Sequence, residues 1–132
     1  MNLSIYQGMV IVSTNSNWYA AFSSNPISYK SCKAVLYNVN TTTPYVGYNF
    51  NNDPNFIITI AKNGTGDYTI TLPTNYLSSA FVVEATAVGT SPLLCVVNSF
   101  NGTVSFDLNV YTVGTVTVLS DPSYIYLSIS GN

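Results

Sequence analysis

Thr103-Val104-Ser105-Phe106-Asp107-Leu108-Asn109-Val110-Tyr111 alternates without a break, with Val104, Phe106, Leu108 and Val110 on one side and Ser105, Asp107 and Asn109 on the other. Successive side chains of a strand point to opposite faces, so this stretch predicts a β-strand with one face in a core and one in water. The same period returns at 67–72, where Tyr68, Ile70 and Leu72 oppose Asp67, Thr69 and Thr71 just after the turn signal Asn63-Gly64-Thr65-Gly66. Its upstream partner is expected at 56–61. Further strands are predicted at 3–12, 18–22, 32–37, 45–50, 81–88, 93–97, 115–119 and 124–130, about ten in all. Gly89, Asn101-Gly102 and Gly114 punctuate them where a positive φ is cheap, which predicts antiparallel hairpins. Only 73–79 reads as a helical turn. Short strands at this spacing predict an all-β antiparallel sandwich or jelly roll.

The composition bounds what such a sandwich can do. The 132 residues suit one domain, 1–132, and no repeat or linker divides them. Hydrophobic residues make up an ordinary 47%, but charged residues are 6%, against about 25% in typical soluble domains. Sixteen Asn, sixteen Ser and fifteen Thr take their place, so the solvated faces are expected to carry neutral amides and hydroxyls. A net charge of −2 repels other copies weakly, which favours tight homo-oligomers. Lys30, Lys33 and Lys62 are the only cations, too few to neutralise a run of phosphates, so nucleic acid is excluded as a partner. The apolar runs at 9–12 and 81–83 are far shorter than the roughly 20 residues of a spanning helix, so no membrane insertion is expected. The start of the chain has no basic, signal-like segment and reads as strand from its first residues. Cys32 and Cys95 read as two small buried hydrophobes rather than a disulfide framework.

Catalytic equipment is scarce. With no histidine, a Ser-His-Asp or Cys-His arrangement has no base. The carboxylates are Asp53, Asp67, Glu84, Asp107 and Asp121, and an enzymatic alternative is a glycan hydrolase assembled across subunits from Asp53, Asp107 or Glu84. Glu84 sits mid-strand, where a solvated position is the simpler reading than an inward acid. Zinc is disfavoured by two isolated cysteines, and calcium at Asp53 in its Asn-rich loop lacks EF-type spacing. No catalytic residue, metal or cofactor is therefore expected. What remains is aromatic rings beside amides, and these hold sugars by stacking and hydrogen bonding. Trp18, Tyr45, Tyr48 and Asn49 are the receptor candidates. At the end of the chain, Ile125, Leu127 and Ile129 form an aliphatic face opposite Tyr124 and Tyr126. Either this is an edge strand with exposed tyrosines, or Tyr124 and Tyr126 pack against a neighbouring subunit, since aromatics concentrate where proteins meet.

Four segments carry a further signal: Gly66-Asp67-Tyr68-Thr69-Ile70-Thr71-Leu72-Pro73, Phe81-Val82-Val83-Glu84-Ala85-Thr86-Ala87, Val104-Ser105-Phe106-Asp107-Leu108, and Asp121-Pro122-Ser123-Tyr124-Ile125-Tyr126-Leu127-Ser128-Ile129. In their order, over residues 64–132, they resemble the trimeric tips of bacteriophage tail fibres and related virion knobs. The resemblance implies a jelly roll similar to the globular heads of the complement and tumour necrosis factor superfamily, packed as a homotrimer. It also implies a virion location and a non-enzymatic, structural role in host attachment, with host-surface carbohydrate and other virion proteins as partners. A capsid decoration or scaffold protein without a receptor is the alternative. The chain carries no coiled-coil heptads or collagen-like triplets, so such a knob would either be a separately encoded virion protein or dock on another one.

Overall fold

The computed structural model describes residues 3–6, 9–14, 17–20, 29–51, 53–75, 77 and 81–132, with side chains from residue 29 onward except that of Tyr48. Eleven strands and no helix occur among the described residues: β1 Leu3–Tyr6, β2 Met9–Thr14, β3 Asn17–Ala20, β4 Lys30–Tyr37, β5 Tyr45–Asn51, β6 Thr59–Gly64, β7 Asp67–Thr71, β8 Val82–Val88, β9 Leu93–Asn101, β10 Ser105–Thr112 and β11 Tyr124–Gly131. Strands β1, β2 and β3 pair in order as one antiparallel sheet, so the single run expected at 3–12 is two strands of a hairpin. Of the helical turn expected at 73–79, residues 76, 78 and 79 lie outside the described residues.

Two four-stranded antiparallel sheets follow, ordered β5-β4-β11-β8 and β6-β7-β10-β9. Their inner faces form one core. Cys32, Leu36, Ile125, Leu127 and Ile129 of the first sheet join Tyr68, Ile70, Phe106, Leu108 and Val110 of the second, all buried. The alternation is therefore satisfied by face-to-face packing, as in a β-sandwich. Hairpins β4–β5, β6–β7 and β9–β10 each stay within one sheet, while the links from β5, β7, β8 and β10 to the next strand change sheet. Strand β11 returns last and inserts between β4 and β8. It is a central strand, not the edge strand that was one reading of its tyrosines.

Four local departures have physical causes. Val104, expected inside, is 39% exposed because its N–H and C=O are taken by Asn101 and Leu72 in the turn before β10. Asn109, expected in water, is 6% exposed, as it sits on a central strand flanked by Asp67 and Val96. Phe56 and Ile58 are buried but precede β6, since the turn bonds from Phe56 to Asp53 and from Ile57 to Asn55 occupy the backbone there. The segment 115–119 is not a strand: the Val110 N–H is taken by Gly66 O, and pairing with β10 is confined to a Tyr111–Leu119 bridge and bonds at Val118 and Ser120. Of the turn glycines, Gly66 and Gly102 adopt positive φ, at 61° and 55°.

Candidate functional site

The two outer faces of the sandwich differ in kind. On the β6-β7-β10-β9 sheet, β9 exposes Leu94 and Val96, and the polar side chains satisfy one another across the strands. Thr69 Oγ1 and Ser99 Oγ donate to the two carboxylate oxygens of Asp107, each at 2.7 Å, and Asn63 Nδ2 donates to Thr69 Oγ1 at 3.0 Å. Hydrogen bonds from Thr69 and then Ser99 hold the Asp107 carboxyl below its ordinary pKa. This acid is a stabilised anion with its acceptors occupied, a poor start for a general acid.

The β5-β4-β11-β8 sheet presents aromatics instead. Across its outer face the register lines up Tyr45, Tyr37, Tyr124 and Val88, then the Tyr48 position with Val35, Tyr126 and Thr86, then Phe50, Lys33, Ser128 and Glu84. Ring centroids are 5.8 Å apart for Tyr45 and Tyr37, 6.4 Å for Tyr37 and Tyr124, and 5.4 Å for the edge-to-face pair Tyr124 and Tyr126. The neighbouring Tyr126, then partial burial, push the Tyr124 phenol above its ordinary pKa. The row depends on a bulge. Register slips between Val35 and Leu36, leaving Gly47 as an extra residue on the edge strand, and the Tyr37 ring lies against it so closely that a Cβ there would strike the ring.

Beside this row lies a groove of about 440 Å³ lined by Lys33, Val35, Phe50, Glu84, Tyr126 and Ser128. Tyr126 and Phe50 are 49% and 62% exposed, although neighbouring positions on the inner side are fully packed. The arrangement offers flat apolar area with one positive and one negative group at its margins, chemistry suited to contact rather than to bond making.

The receptor candidates do not form one cluster. Tyr45 and the backbone position of Tyr48 share this face with Tyr124 and Tyr126, so residues read as a receptor site and as an oligomer interface occupy a single surface. Asn49 falls opposite the inward-facing Ala34, and its Oδ1 accepts the Cys32 thiol at 3.1 Å. Trp18 belongs to β3, opposite Ser13 in the separate sheet, and its side chain lies outside the described residues. The hydrolase alternative fares no better within one chain. Glu84 and Asp107 are on opposite outer faces, and Asp53 Oδ1 accepts the Asn55 N–H in a loop turn at 2.9 Å.

Sequence reasoning missed one charged node. Asp121 Oδ2 takes a 2.6 Å bond from Lys62 Nζ, and its Oδ1 takes the Gly66 N–H at 2.7 Å. The Tyr68 hydroxyl lies 2.9 Å from the same oxygen and 2.7 Å from Val39 O, so its single hydrogen serves two acceptors. Burial opposes the Asp121 charge, but the bonds from Lys62, Gly66 and Tyr68 outweigh it and hold the carboxyl below its ordinary pKa. Burial, then Asp121, drives the Tyr68 phenol upward. Lys62 is only 11% exposed at its side chain, so the node ties 39, 62–68 and 121 together beneath the surface. It is a structural clasp, and Asp121 beside Pro122 was its only visible trace in the sequence.

No protein-family model matches the chain, and neither a curated protein nor a solved structure matches it.

Proposed function

We propose that this protein works by contact rather than catalysis, as a structural virion-surface component that assembles into a homotrimer and takes part in host attachment. The observation that carries the reading is the row Tyr45, Tyr37, Tyr124 and Tyr126 across the outer face of a sheet, exposed but for the half-buried Tyr124, in a chain with 6% charged residues. Aromatic area of this kind is enriched at protein contacts. The likeness of residues 64–132 to tail-fibre tips supplies the viral setting, the jelly-roll relationship and the threefold symmetry. In such an assembly the central strand β11 lies inside the contact and β5, an edge strand, lies at its rim, where Tyr45 remains 50% exposed for host glycans.

The test is the solution mass of the purified protein by light scattering, with Tyr126→Asp beside it. A mass of three times the 14.2 kDa chain, falling to the monomer in the variant, is the expected result. A charge placed in a contact without a partner is strongly disfavoured. A native monomer overturns the reading. The receptor part is checked on a glycan array, where Tyr45→Ala is expected to lose binding with its folding intact.

A further inference from the structure

Two opposite charges on this face find no partner among the described residues. Lys33 and Glu84 both stand in register with Ser128, one from each side of β11. That separates them by two strand spacings, roughly 10 Å, too far for an ion pair. Both are exposed, and neither makes an ion pair or hydrogen bond with a described residue.

We propose that the outer face of the β5-β4-β11-β8 sheet is covered by a second copy of this chain, with Lys33 of one copy paired to Glu84 of the next. The proposal rests on the homo-oligomer reading above and names its interface. A face with a cation on one side of its central strand and an anion on the other is complementary to its own copies in a closed ring, where Lys33 of each copy meets Glu84 of the next. Ser128 lies between the charges, and the next row along the sheet brings Tyr126, 49% exposed, with Val35 and Thr86 on either side; Phe50 flanks Lys33 at 62% exposure, and Val82 lies two residues from Glu84 on its strand at 61%. Exposed aromatic and aliphatic side chains beside two opposite charges have the composition of a protein interface. A carbohydrate fits the groove less well, because no Asn or Gln lines it in a chain that has sixteen Asn elsewhere.

The experiment is charge reversal read by solution mass: Lys33→Glu, Glu84→Lys and the double variant, each with a thermal melt to confirm folding. Either single reversal sets like charges against each other, and subunit dissociation is expected to strengthen by roughly 100-fold or more. The double variant restores the pairing with its sign exchanged and is expected to return within about tenfold of the native constant. If a reversal fails to fold, Lys33→Gln with Glu84→Gln serves instead. The native assembly is then expected to weaken between low and high salt while the neutral variant does not. An oligomer indifferent to both single reversals, or a double variant no better than either single, overturns the Lys33–Glu84 interface while leaving the assembly reading intact. A native monomer, including one whose face proves to bind a glycan or another protein, overturns both.

Discussion

Replacing Asp121 with Asn keeps the shape of the clasp and removes its charge. The native carboxylate receives a 2.6 Å bond from Lys62 and a 2.7 Å bond from the Gly66 N–H, and it shares the Tyr68 hydroxyl. The amide keeps one acceptor oxygen and turns its nitrogen toward a second set of donors. Lys62 is left with Val39 O, at 3.1 Å, as its remaining acceptor. Removing one member of a buried ion pair costs about 3–5 kcal/mol. The 23% exposure of the Asp121 side chain lets water screen part of that, so we expect about 2–4 kcal/mol. For a chain of this length that lowers the melting temperature by about 10 °C.

The pH dependence gives a second, independent readout. A carboxyl whose folded pKa is depressed stabilises the fold above its unfolded pKa, near 4, and loses that contribution as the pH falls through the folded value. The gap between native protein and Asp121→Asn should therefore be constant at neutral pH and close below about pH 4. Denaturant titration at pH 7 and pH 3, run also on Lys62→Met and the double variant, completes the cycle. Coupling between the two sites of about 1–3 kcal/mol at pH 7 is expected. A loss under about 1 kcal/mol, or strictly additive single effects, would refute the assignment of the node as a clasp.

Two further substitutions and one titration test the rest of the reasoning. Gly66→Ala should cost about 2–4 kcal/mol, because φ is 61° and a Cβ would lie 2.6 Å from Val110 O and 2.7 Å from Ser120 N, both backbone. Gly102→Ala, at φ 55° with nothing within 4 Å, should cost only the left-handed strain, about 1–2 kcal/mol; equal losses in melts of the two would count against the close-approach argument. Burial pushes the Cys32 and Cys95 thiols from 9.0 up to about 11, so their share of stability is complete below pH 9 and is lost as the pH rises toward 11. The double Cys32→Ala and Cys95→Ala variant should show a shallower alkaline decline in denaturant midpoint than the native protein, and an unchanged slope would contradict it.

The alternation at 103–111 and 67–72 was enough to place Phe106, Leu108, Val110, Tyr68 and Ile70 in a core, because the face a strand residue takes depends on its immediate neighbours alone. Composition likewise left little room for proton chemistry, and the absence of histidine is a property of the chain before it folds. Strand adjacency is a different matter. That β11 enters between β4 and β8, bringing Tyr124 and Tyr126 beside Tyr37 and placing Ser128 between Lys33 and Glu84, depends on pairings between distant segments that no local period encodes. At 115–119 a strand-like sequence found only one bridge to β10, at Leu119, because pairing needs a partner edge that the local period does not supply. Asp121 shows the same division most sharply. Alone it reads as a turn residue before a proline, and it becomes an ion-pair centre only because the sandwich carries Lys62, Gly66 and Tyr68, more than fifty residues earlier, to within hydrogen-bond reach. Sequence determined most of the strands and the inward face of each, but not the exposure of Val104, the burial of Asn109 or the fate of 115–119; tertiary structure decided those and which residues meet, since both are set by long-range packing of one sheet on the other.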